Sequence, residues 1–100
     1  MALYLLSVGY IQPMEEVSKH FEGHVSWLQA KYASGVLLGY AKKVPLTGGI
    51  IFATASSREE LDAVIAGDPF VKAEVAAYDV TELDPTRLSP ALLEFAEEKS

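Results

Sequence analysis

VLLGYAKKVPLTGGIIFATA, residues 36–55, consists of two apolar runs separated by turn-forming residues. Val36–Lys43 reads as a strand, Pro45 with the Gly48-Gly49 pair reads as the turn, and Ile50–Ala55 reads as the strand that follows. The segment therefore predicts a hairpin-like pair. The residues on either side of it have helical character. Upstream, Pro13 suits a first helical position and Glu15 and Glu16 complement the positive helix end. Met14, Val17, Phe21, Val25, Leu28 and Tyr32 then form one apolar stripe at three- and four-residue spacing until Gly35 stops it. Trp27 falls off that stripe and reads as an isolated exposed side chain or as one that stacks on the tail helix or on a partner. Downstream, Ser57 and Glu60 form a capping box for a helix that turns Leu61, Val64 and Ile65 inward and ends at Gly67. Ala2–Gly9 supplies a strand before the first helix. After the second, Asp68-Pro69 begins a short helical turn and Val75–Leu83 supplies the last strand. The order is βαββαβ, an α+β ferredoxin-like sandwich with both helices on one face of an antiparallel sheet. Pro85 and Pro90 punctuate a tail in which Ala91–Glu98 predicts an extra C-terminal helix, so residues 1–83 read as the domain and 84–100 as its tail.

The face of the sheet away from the helices is expected to need a cover. ALYLLSVG and GGIIFATA are apolar at nearly successive positions, where a wetted face would alternate with polar residues. Leaving a large aliphatic side chain in water costs about 1.5–3 kcal/mol relative to burying it, a large fraction of a small domain's stability. A second copy packed sheet to sheet is the simplest cover, because two-fold homodimers are the commonest oligomers. The tail helix folded back over the same face is the other.

Composition narrows the function classes. Fourteen acidic against eight basic residues give a net charge of −6, the wrong sign for holding a phosphate backbone, so no nucleic-acid partner is expected. The chain has no cysteine, which excludes thiol nucleophiles and Cys-based zinc sites and makes an intracellular compartment the default. Its apolar runs are far shorter than the roughly 20 residues a bilayer span requires, and MALYLLSVGY lacks a basic leader. A cytoplasmic protein without a membrane partner is expected. Neither a Gly-rich phosphate loop nor a nucleophile motif is present.

Taken together, the βαββαβ order, His24-Val25-Ser26-Trp27-Leu28, Gly35-Val36-Leu37-Leu38-Gly39 and Asp68-Pro69-Phe70 resemble the YciI-like (YCII-related) family of the dimeric α/β-barrel superfamily. The resemblance spans about residues 1–83. It implies a dimer with a cleft near the interface and a His-Asp pair for acid-base chemistry, carried here by His24 and Asp68. The chain departs from the family pattern at two positions: Phe21 stands where a basic residue is frequent, and Phe70 where tyrosine is frequent.

Each candidate residue has a chemical and a structural reading. His24 lies on the margin of the apolar stripe, and imidazole exchanges protons near neutrality, so it is either a general acid-base group or a half-buried histidine satisfied by a hydrogen bond. Asp68 either orients that imidazole or simply caps the helical turn that Pro69 begins, the device repeated at Asp84-Pro85 and Ser89-Pro90. His20 and Glu16 extend a row from His24 but lack the further ligand that a metal site needs. Tyr4, Tyr10, Tyr40 and Tyr78 read as pocket lining or core, and Lys42 and Lys43 as a substrate attractor or a charged strand edge. The leading expectation is a homodimer that binds a small organic molecule and performs lyase or isomerase chemistry through His24 and Asp68, without metal, flavin or nucleotide cofactor. The alternative is a non-catalytic ligand-binding or regulatory interaction module.

Overall fold

The computed structural model describes residues 1–96. Its elements are β1 (Ala2–Tyr10), α1 (Met14–Ser18), α2 (Phe21–Ala33), β2 (Leu37–Lys42), β3 (Gly48–Ala55), α3 (Arg58–Ile65), α4 (Pro69–Lys72) and β4 (Ala76–Leu83), followed by a 3-10 segment at Pro90–Phe95. The four strands lie in the order β2-β3-β1-β4 with every pairing antiparallel. This is the expected α+β ferredoxin-like arrangement.

Strand register decides which side chains meet the helices. Leu6 lies opposite Ile51 and Val80, and Tyr4 opposite Ala53, so these residues share the helix-covered face. Leu6, Ile51, Ala53 and Tyr4 are buried there with Leu61, Phe70 and Leu37. The opposite face carries Leu3, Leu5, Ile50 and Phe52, with Leu5 directly across from Phe52. Phe52 is 37% exposed, and no element among the described residues covers it.

Three local expectations are corrected. Gly48 and Gly49 belong to β3 and not to the turn, because the strand passes so close to β1 that a Cβ on Gly48 would sit 1.8 Å from the Val8 carbonyl oxygen. The long first helix is broken at Lys19–His20, where His20 leaves helical geometry at φ −113° and ψ 5°. Beyond the break, α2 is turned so that His24, Trp27 and Leu28 are buried while Tyr32 is 55% exposed. Trp27 is therefore a core residue. A Cβ at Gly67 would lie 3.5 Å from Trp27 Nε1, in ordinary van der Waals contact with the indole. Burial of the indole's apolar area outweighs an N–H that has no partner among the described residues.

The tail forms a short 3-10 helix over Pro90–Phe95 in place of an α-helix over Ala91–Glu98; Glu97 and Glu98 lie outside the described residues. Pro90 opens the segment, but Leu92, Leu93 and Phe95 remain 57, 78 and 86% exposed. With so little apolar area buried, little packing holds Pro90–Phe95 in α-helical geometry.

Candidate active site

Asp68 begins α4 in extended geometry, and its Oδ1 accepts from the Phe70 backbone N–H at 3.0 Å, with Pro69 at the first helical position. This local cap fixes the carboxylate before any distant partner is added. Packing of α4 against α2 brings His24 to the same oxygen, with Nδ1 2.7 Å from Asp68 Oδ1. From β4, two residues along from Ala76 on the helix-facing side, the Tyr78 hydroxyl donates to Asp68 Oδ2 at 2.5 Å. Asp68 is fully buried, and a carboxylate in such a place persists only when donors replace its water. Here three converge on it.

His24 and Asp68, the pair the family resemblance points to, are brought together by the fold across 44 residues of chain. From the sequence, Tyr78 reads only as core or pocket lining. Two-residue alternation in β4 places Tyr78 on the helix side, but nothing local aims its hydroxyl at a carboxylate. Burial, reinforced by the adjacent Asp68 charge and the hydrogen bond, holds the Tyr78 phenol well above its ordinary range. Tyr78 is thus a proton-bearing donor at all ordinary pH values.

The imidazole plane is set by aromatic neighbours. His24 stacks on Phe70 with ring centroids 3.8 Å apart and planes within 5°, and Trp27 lies on it at 6.1 Å and 23°. Phe70 is itself held by an edge contact from Tyr10 at 5.9 Å. Because Oδ1 is an acceptor, His24 Nδ1 carries the hydrogen between them, and Nε2 is left with the lone pair in the neutral ring. Nε2 has no protein partner and is not among the fully enclosed polar atoms of the described residues.

His24 borders a cleft of about 1020 Å³ between α2 and the β1, β2 and β3 strands. Tyr10, Phe21, Tyr40 and Phe70 supply its aromatic wall, Lys42 is its ammonium group, and Leu93 and Phe95 of the tail stand beside it. Tyr4 is in the core instead, 3% exposed. Burial raises the Tyr10 phenol as well. His20 is half-buried and outside this lining, and no group of three or more His, Cys, Asp or Glu residues placed to hold a metal occurs among the described residues. Among those residues, no helix is long and apolar enough to cross a membrane.

A four-stranded antiparallel sheet with helices on one face, and a carboxylate-braced histidine at the edge of a helix-side cleft, define a ferredoxin-like α+β domain. The chain belongs to the YCII-related domain family, whose model matches residues 2–84. No curated protein sequence matches it significantly. Among solved structures it is similar to the 5-chloro-2-hydroxyhydroquinone dehydrochlorinase of Burkholderia phenoliruptrix in complex with 2,5-dihydroxybenzoquinone, with a TM-score of 0.68 and 19% identity over 82% of this chain and 93% of that one. At that identity the likeness is one of fold.

Proposed function

We propose that the protein is a small-molecule enzyme of the lyase or isomerase type in which His24 transfers a proton and Asp68 orients it. The observation that carries this reading is the 2.7 Å bond from His24 Nδ1 to a fully buried Asp68, which leaves Nε2 as the free base beside the cleft. Nε2 takes a proton from an acidified carbon. The electron pair of that C–H bond then either expels a leaving group from the neighbouring carbon, forming a double bond, or moves along the substrate until the proton is returned elsewhere. Asp68 stabilises the transient imidazolium without taking its proton. The dehydrochlorinase activity of the structural neighbour, an elimination, is consistent with the first course.

We further propose that residues 1–83 act as the functional domain, with 84–100 as an appendage, in a cytoplasmic homodimer whose open sheet faces meet around Leu5 and Phe52. Burying such side chains removes the cost of leaving them wet. The test is to incubate wild-type protein and the His24→Ala variant with 5-chloro-2-hydroxyhydroquinone and with a panel of cyclic carbon acids in deuterated water, following chloride release and deuterium incorporation. Wild-type turnover that falls by about a hundredfold or more in a His24→Ala protein of unchanged mass and fold supports the assignment. Undiminished turnover in that variant, or binding without exchange or elimination across the panel, leaves a ligand-binding module instead.

A further inference from the structure

The charge around the cleft does not follow the charge of the chain. Fourteen of the residues are acidic and the net charge is −6, yet no Asp or Glu lines the cleft among the described residues. Asp68 sits behind His24, fully buried and occupied by its three donors. The ammonium at the cleft is Lys42, which the register places on the helix-facing side of β2, opposite Gly49 and in line with Val8. It makes no ion pair among the described residues. Gly49 contributes no side chain beside it. A Cβ there would lie 2.9 Å from the Ala41 carbonyl oxygen, so strand packing keeps that part of the cleft floor open.

Resting on the reading of His24 as the base, we propose that the substrate is a small planar organic anion, a ring bearing a carboxylate or enolate group that Lys42 holds. The aromatic wall formed by Phe21 and Tyr40 takes the ring. Lys42, itself exposed, pairs with the negative group at the rim of the cleft, where no carboxylate among the described residues competes for it. The same cation would favour the additional negative charge that builds on the ring when His24 removes a proton. A neutral ring meets the same wall but gains nothing from Lys42.

The experiment compares benzoate with benzamide, near-isosteres that differ in charge, by titrating each into isotopically labelled full-length protein and following backbone and histidine NMR signals. Wild type should bind benzoate about fivefold more tightly, a preference that shrinks with salt and disappears in Lys42→Gln. Equal binding of the two probes, binding of neither, or a preference that survives in Lys42→Gln overturns the inference. The His24→Ala protein separates this from the catalytic reading. Retained benzoate preference with undiminished turnover sinks the base but keeps the anion site; lost turnover with no charge preference in wild type does the reverse.

Discussion

Asp68-Pro69-Phe70 and Ser89-Pro90-Ala91 use the same local device in two different surroundings. Both capping residues are extended, at φ −67°, ψ 124° and φ −82°, ψ 136°, and both are followed by proline at the first helical position. Each side chain accepts from the N–H two residues on, at 3.0 Å for Asp68 and 3.1 Å for Ser89. Yet Asp68 is fully buried with His24 and Tyr78 on it, whereas Ser89 and the turn it begins are exposed. A cap orients an oxygen in either place. What α2 and β4 add around Asp68 converts that orientation into a site.

The largest break in the comparison should come from the aromatic that follows each cap. Phe70 is 1% exposed and supports the His24 ring, so Phe70→Ala should cost about 3–5 kcal/mol in urea unfolding. Phe95→Ala, in the 86% exposed tail, should stay within about 0.5 kcal/mol. A larger loss at Phe95 would mean that the tail packs as a structural element and the two turns are more alike than their exposure indicates.

Removing the caps themselves should separate the two turns next. Asp68→Ala deletes an acceptor for three donors, two of them from other elements, and should cost about 3 kcal/mol because those donors are left short of partners. Ser89→Ala deletes one exposed bond and should cost about 0.5 kcal/mol. Chemical denaturation of the two variants measures both, and similar losses would reduce Asp68 to a helix cap.

The same contrast marks how far the sequence is legible. Element order follows from spacing and punctuation because helix and strand periods are local properties, and the Asp-Pro and Ser-Pro signals locate both caps. They also mark Asp84-Pro85, where no helix begins among the described residues. His24 and Asp68 emerge as a pair through the family resemblance; spacing alone leaves each with a bland alternative. Trp27 is misread because the apolar stripe weighs Met14 and Tyr32 as core, whereas α2 turns toward Asp68 and Phe70, a pull that comes from residues more than forty positions away. Tyr78 is missed for the same reason. Its side of the strand is readable, but the carboxylate its hydroxyl meets is set by how α4 docks.

A smaller effect sharpens the comparison further, since only the buried cap has a titrating partner. The Tyr78 phenol is held above its ordinary value by burial and by Asp68, so the folded protein keeps a proton that the unfolded chain releases near pH 10. A group whose pKa is raised by folding contributes stability that is fully present below its unfolded pKa. That contribution declines as pH rises above it, here by up to about 1.4 kcal/mol per pH unit. Wild type should therefore lose about 1.4 kcal/mol more than Tyr78→Phe between pH 9 and pH 11, although the variant starts lower at neutral pH for want of one hydrogen bond. The remaining tyrosines and the lysines titrate alike in both proteins and cancel in the difference, which urea unfolding across that range reads directly. Parallel stability curves would show that the phenol ionises as freely in the fold as outside it. The hydroxyl on Asp68 would then be as wet as the one on Ser89, and burial would no longer distinguish the two caps.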